Sequence, residues 1–232
     1  MAKKNNNVAP VSLMTVANTN SVISEQLRTI RSNINFSSVD KDLQSMVITS
    51  SGAGEGKSTT AANLAVVFAN SGKRVLLVDA DLRKPTVALT FHLPNHRGLS
   101  TLIADRTSQI DQHIQDSGVE NLSIMTSGPI PPNPSELLQS QRMTDLISDL
   151  IAQFDLIIFD MPPIGVVTDA QILAAKTDGT LLVVRERKTT KQGLIKAKKL
   201  LNLANANLIG VVYNGVKKVN NDNYYYYAKT KR

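Results

Sequence analysis

The sequence predicts an α/β fold in which a mostly parallel central sheet carries helices on both faces. Two observations predict it. The strand candidates are continuous apolar runs such as Leu156-Ile157-Ile158-Phe159, and runs of that kind mark strands buried on both sides. They alternate along the chain with segments of helical period, the pattern of parallel strands joined by crossover helices. A length of 232 residues is enough for one well-cored domain and short for two.

Taken in order, residues 1–20 are polar and Asn-rich and read as a flexible arm. Residues 21–216 form the domain, and 217–232 a tyrosine-rich tail. Ile23, Leu27, Ile30 and Ile34 recur at helical spacing. Residues 46–49 are the first strand. Ala61, Leu64, Ala65 and Phe68 share one side of the next helix, which Ser71-Gly72 ends before a strand over 74–78. Gly98 to Leu102 opens a short helix, and 122–125 is another strand. Gly128-Pro129-Ile130-Pro131-Pro132-Asn133-Pro134 excludes regular structure. Ser135 is the expected cap of a helix starting at Glu136, and a second apolar periodicity runs over 143–151. Strands over 156–159, 180–184 and 208–213 follow. Between the last two lies an amphipathic helix over 191–204, apolar at Leu194, Ala197, Leu201 and Ala204.

Cysteine is absent, which excludes disulfides and thiol catalysis and favours a reducing cytosol. No apolar run reaches the length of a membrane span and no signal peptide is visible, so a cytoplasmic protein is expected. The net charge of +7 is uneven: from Arg185 to Arg232, 12 Lys/Arg face 2 Asp/Glu, giving +10, so residues 1–184 come to −3. Such a basic quarter attracts nucleic acid, anionic lipid or acidic protein; a solvated helix face with a soluble tail is the plain alternative. His92, His96 and His113 lack metal-ligand spacing.

The chemistry concentrates in Ser50-Ser51-Gly52-Ala53-Gly54-Glu55-Gly56-Lys57-Ser58-Thr59, directly after the first strand. A strand, a glycine-rich turn and Lys-Ser opening a helix make a phosphate cradle, because backbone N–H groups and the positive helix end face the anion. It reads as the P-loop of a nucleoside triphosphatase, with Ser51 where a glycine is usual; a glycine-rich strand-to-helix turn of no special purpose is the plain alternative. Gly54, Glu55, Gly56, Lys57, Ser58 and Thr59 are the expected nucleotide-binding residues. Lys57 reaches the β/γ-phosphates and the Ser58 hydroxyl joins a Mg²⁺ shell.

Two strands end in carboxylates. Alternation puts Asp79 and Asp81 on one side, facing the cradle, if the strand continues. Asp160 ends the strand over 156–159. Beside a nucleotide such groups hold Mg²⁺ or take a proton from an attacking hydroxyl; a lone strand-end Asp more commonly caps a turn. The four consecutive tyrosines Tyr224, Tyr225, Tyr226 and Tyr227 cannot share one buried face, so they are either phosphoacceptors or an adhesive aromatic patch. Glu25, Arg28 and Arg31 lie on about a third of a helix circumference, as local ion pairs or as a contact surface.

These features resemble the bacterial tyrosine kinases of exopolysaccharide and capsule systems, over nearly the whole chain from Glu25 onward. The phosphate loop matches, with Ala53 where proline is frequent. Asp79-Ala80-Asp81-Leu82-Arg83 matches the family's additional acidic motif, and Asp160-Met161-Pro162 its Walker B motif. The tyrosine cluster and Glu25-x-x-Arg28-x-x-Arg31 add support. The resemblance implies ATP and Mg²⁺ as cofactors, with Lys57, Asp79 and Asp81 catalytic and Ser58, Asp81 and Asp160 around the metal. It implies Asn214 at the base, where a strand-end turn is the alternative. Arg185 and Arg187 follow the strand over 180–184 and are expected near the nucleotide by that position. It further implies phosphorylation of the tail by a neighbouring copy, a ring oligomer through Glu25, Arg28 and Arg31, an activating membrane adaptor and an opposing tyrosine phosphatase. No nucleic-acid partner is expected, and the chain would be recruited to the inner membrane face by the adaptor. The competing relatives are partition and division-site ATPases, switches without kinase activity; their loops carry a lysine at the position of Gly52, and this chain has none.

Overall fold

The computed structural model describes residues 9–37 and 43–216. Seven strands form one sheet: β1 (Ser45–Ser50), β2 (Val75–Asp79), β3 (Gln115–Asp116), β4 (Leu122–Met125), β5 (Leu156–Asp160), β6 (Gly179–Arg185) and β7 (Leu208–Asn214). Their order is β3-β4-β2-β5-β1-β6-β7. All pairs are parallel except β3 with β4. The six strands expected from apolar runs are present. β3 was not foreseen, since two polar residues at a sheet edge leave no hydrophobic signature.

Period two divides each central strand between two cores. Val47, Leu76, Val78, Ile157, Phe159 and Leu182 face one side. Met46, Ile48, Val75, Leu77, Ile158 and Val183 face the other. The second side is covered by α1 (Met14–Ala17), α2 (Val22–Ser37) and α3 (Lys57–Ala69). After β2 come α4 (Val87–Thr90) and α5 (Leu99–Ala104), then α6 (Pro134–Gln139) and α7 (Gln141–Ile151), and finally α8 (Asp169–Ala174) and α9 (Lys191–Leu203). Residues of α5 to α9 build the first core. In α3 the buried set is wider than the expected stripe, because α2 and α1 lie over its outer side and bury Ala62, Val66 and Val67 as well. Phe68 on α3 is 1% exposed. Phe68→Ala is expected to destabilise the fold by about 3–5 kcal/mol, read from the urea midpoint.

Two expectations are corrected here. Residues 9–20 are held against the domain: the Thr15 hydroxyl and amide both donate to Asn63 Oδ1 (2.9 and 3.0 Å), and the Val11 amide donates to Thr90 Oγ1 at 3.0 Å. Their polarity is used for bonds to the body. Ser135 does not cap its helix. Pro134, at the first helical position, starts it two residues earlier, and the Ser135 hydroxyl donates to Asp169 Oδ1 at 2.6 Å. Ser140 is the cap of the following helix, accepting the Met143 N–H.

Candidate active site

β1 delivers the chain to the glycine loop, and the loop hands it to α3 at Lys57. Gly54 (φ 69°) and Gly56 (φ 98°) take left-handed conformations, which glycine adopts without steric cost. A β-carbon on Gly56 would also collide with Asn214 Nδ2. The loop is held from within and from outside. The buried Glu55 carboxylate accepts from the Ser51 hydroxyl (2.8 Å), the Gly52 N–H (3.0 Å) and the Thr189 hydroxyl (2.6 Å). The Asn214 amide donates to the Glu55 carbonyl at 3.1 Å, so the end of β7 does sit on the loop. Lys188 Nζ and Arg185 Nη1 donate to the Gly54 carbonyl at 3.2 and 3.4 Å. Arg185 thus reaches the loop, whereas Arg187 points to solvent with 71% of its side chain exposed. The braces Thr189 and Lys188 were not foreseen; contacts across 134 residues leave no mark in local sequence.

The acidic residues converge on Lys57. Its ammonium lies 2.9 Å from Asp81 Oδ2 and 3.3 Å from Asp160 Oδ1, and it donates to Ser58 Oγ at 3.0 Å. Asp79 is placed differently from the expected pairing with Asp81. β2 ends at Asp79, beside Asp160 in register, so alternation does not carry on to Asp81. Asp79 Oδ2 instead accepts the N–H groups of Thr86 and Val87, both at 2.9 Å, and so fixes the turn that returns from Asp81. Beyond that turn Arg83 meets the fully buried Asp169 through two bonds of 2.8 and 3.0 Å. Asp169→Ala would leave Arg83 and Ser135 without their acceptor. With Arg83 partly solvated, a loss of about 2–3 kcal/mol is expected by denaturant titration.

Burial raises the Asp79 carboxyl, with the Asp160 charge adding to it, to about 7. Burial likewise raises Asp160, against the pull of Lys57. Burial alone would lower Lys57, but Asp160, Asp81 and Asp79 together hold its ammonium above the usual range. Asp79 Oδ1 and Asp160 Oδ2 are both buried without a hydrogen-bond partner. Unsatisfied carboxylate oxygens beside a hydroxyl suit a hard cation that takes oxygen ligands. Among the described residues no cluster of three or more His, Cys, Asp or Glu could hold a metal unaided, so the hydroxyl and ligand oxygens would have to complete the shell. The donor set therefore fits magnesium on a bound triphosphate.

Glu25 and Arg28 pair on the surface of α2, and Arg28 Nη2 donates to the Thr19 carbonyl at 2.7 Å. Arg31 Nη1 donates to the Val67 carbonyl at 3.0 Å, near the end of α3 opposite the loop and about 15 Å away along that helix. Structure does not bring these three to the cradle. Tyr224, Tyr225, Tyr226 and Tyr227 lie outside the described residues.

A parallel sheet with this loop, Lys57 and the strand-end carboxylates defines a P-loop NTPase, a fold that binds nucleotide; residues 43–209 match the AAA domain family. The Bacillus subtilis tyrosine-protein kinase YwqD is 51% identical over 208 residues, covering 90% of this chain and 87% of that protein. The kinase domain of Escherichia coli tyrosine kinase ETK is 30% identical, with a TM-score of 0.85 over 93% of this chain and 84% of that one. The chain belongs to the bacterial tyrosine kinases. The septum site-determining protein MinD of Pyrococcus horikoshii, at 23% identity and a TM-score of 0.62 over 73% of this chain and 69% of that one, shares the fold alone. Tyrosine kinase activity is thus favoured over the switch ATPase alternative.

Proposed function

We propose that this tyrosine kinase transfers the γ-phosphoryl group of ATP to tyrosines 224–227 of a neighbouring copy and thereby regulates capsule or exopolysaccharide synthesis or export. The observation that carries the catalytic part is Lys57, held by Asp81 and Asp160 at the mouth of the glycine loop. The loop amides from Gly54 to Thr59 would bind the phosphates, with Asn214 positioned for the base. Magnesium, with Ser58, Asp81 and Asp160 around it, would neutralise charge on the transferring group. Lys57 would exchange its carboxylate contacts for phosphate oxygens and stabilise the same charge. The phenol oxygen bonds to phosphorus as the bond to the ADP oxygen breaks, and the phenol proton passes to Asp81. Asp81 suits that role because its contact with Lys57 places it where the transferring phosphoryl would lie and would be released as Lys57 turns to the phosphate oxygens, while Asp79 is occupied in bracing the turn.

The family resemblance supports an activating membrane adaptor, recruitment to the inner membrane face, an opposing tyrosine phosphatase and a ring assembled through Glu25, Arg28 and Arg31. Each phosphate adds about −1.5 to −2 charges to a basic tail, so repeated modification would reverse its sign and release it from an acidic site. The test is incubation with labelled ATP and Mg²⁺, with and without an adaptor's cytoplasmic fragment, and mapping by mass spectrometry. Label on Tyr224–Tyr227 is the expected result; phosphate release with unlabelled protein would overturn it.

A further inference from the structure

Helix α9 buries Ala197 and Leu201 against the sheet and leaves its other side uncovered. That side carries Lys191, Lys196, Lys198 and Lys199 together with Ile195 (58% exposed) and Leu203 (69% exposed). At about 100° per residue these six positions fall within an arc of about 160°. The helix has no acidic residue. Among the described residues none of the four lysines has an ion-pair partner, and Lys196 only donates to the Gly165 carbonyl at 3.4 Å. Solubility accounts for lysines on an outer face; it does not account for two large aliphatic side chains exposed on the same face.

From this arrangement we infer that the outer face of α9 is a docking surface for an anionic lipid bilayer, lying flat with its lysines at the headgroup phosphates and Ile195 and Leu203 among the upper acyl chains. A basic helix with aliphatic residues between its charges matches a negatively charged interface in both respects. Nucleic acid would match the charge but offers the two aliphatic residues no apolar surface. No described helix is long and apolar enough to cross a membrane, so contact through this face would be peripheral and reversible. It would act beside the proposed adaptor, fixing which side of the kinase faces the lipid, and it does not depend on the adaptor.

Each lysine close to an anionic surface contributes about fivefold to partitioning. The test is flotation of the full-length chain with vesicles of phosphatidylcholine alone or with a quarter phosphatidylglycerol, in 0.1 M salt. Binding is expected only to the anionic vesicles. K198E/K199E should weaken it at least 25-fold, and I195S/L203S at least tenfold at unchanged charge. Both variants should keep the parent's melting temperature and autophosphorylation in solution, since all four side chains are solvent-facing on the side of the helix turned away from Ala197 and Leu201. Equal flotation of parent and variants, or binding to the neutral vesicles, would overturn the inference. So would loss with K198E/K199E alone, which would mark a simple charge effect, or tighter binding to duplex DNA or polyglutamate than to the anionic vesicles.

Discussion

Lys57→Met is expected to abolish tail phosphorylation, lowering the rate by at least 10²–10³-fold, measured as phosphotyrosine formed per minute from labelled ATP. Two consequences follow from the same contacts. The ammonium that would meet the transferring phosphoryl is gone, and three carboxylates lose the cation that balances them, since Asp81 and Asp160 contact it directly and Asp79 lies in its field. Removing one partner from a buried charge cluster costs about 3–5 kcal/mol. The variant should therefore also melt earlier at pH 8, and less so at pH 6, where carboxyl protonation relieves the repulsion. Activity must be compared below both melting transitions. A folded Lys57→Met protein that still labels its tail at the parental rate would remove Lys57 from the chemistry.

The sheet was legible because β1, β2 and β5 are buried on every residue, and each carries an apolar run inside it, over 46–48, 75–78 and 156–159. β3 was invisible for the opposite reason. At the site, the glycine loop and Asp160 could be located because local backbone requirements fix them: left-handed glycines, a helix start, a strand end. Asp81 was found, but its relation to Asp79 was not, because the strand stops between them and alternation ceases to apply. Glu55 shows the limit most clearly. As a loop residue it reads as a backbone contributor, yet its carboxylate ties Ser51 and Gly52 to Thr189, and only the crossing of β6 beside β1 brings Thr189 there. Residues 9–20 were misread on composition: polarity signals disorder unless partners such as Asn63 are waiting, and a sequence does not display them.

Asp79→Asn is expected to stabilise the nucleotide-free protein at pH 8, on the order of 1–3 kcal/mol, with the gain shrinking as pH falls below 7 and vanishing below about 4. In the folded protein Asp79 takes up its proton near pH 7, in an unfolded chain near 4. Between those values the folded form holds the extra proton, so the stability is fully present below about pH 4, is lost as pH rises from there to about 7, and stays lost above it. Above that point the fold carries a fully buried carboxylate whose Oδ1 has no partner, next to Asp160. An asparagine keeps an oxygen to accept the Thr86 and Val87 amides while removing the charge, so the turn around Asp81 survives. Urea titrations of parent and variant between pH 4 and pH 8.5 should therefore diverge up to about pH 7, the parent losing stability where the variant stays nearly level, and keep a constant gap above it. Because Mg²⁺ with ATP would relieve the same repulsion, the ligand should raise the parent's midpoint more than the variant's at pH 8. Curves parallel over the whole range would mean that the Asp79 charge is already compensated in the fold, leaving Asp160 Oδ2 as the unsatisfied carboxylate oxygen for a cation to complete.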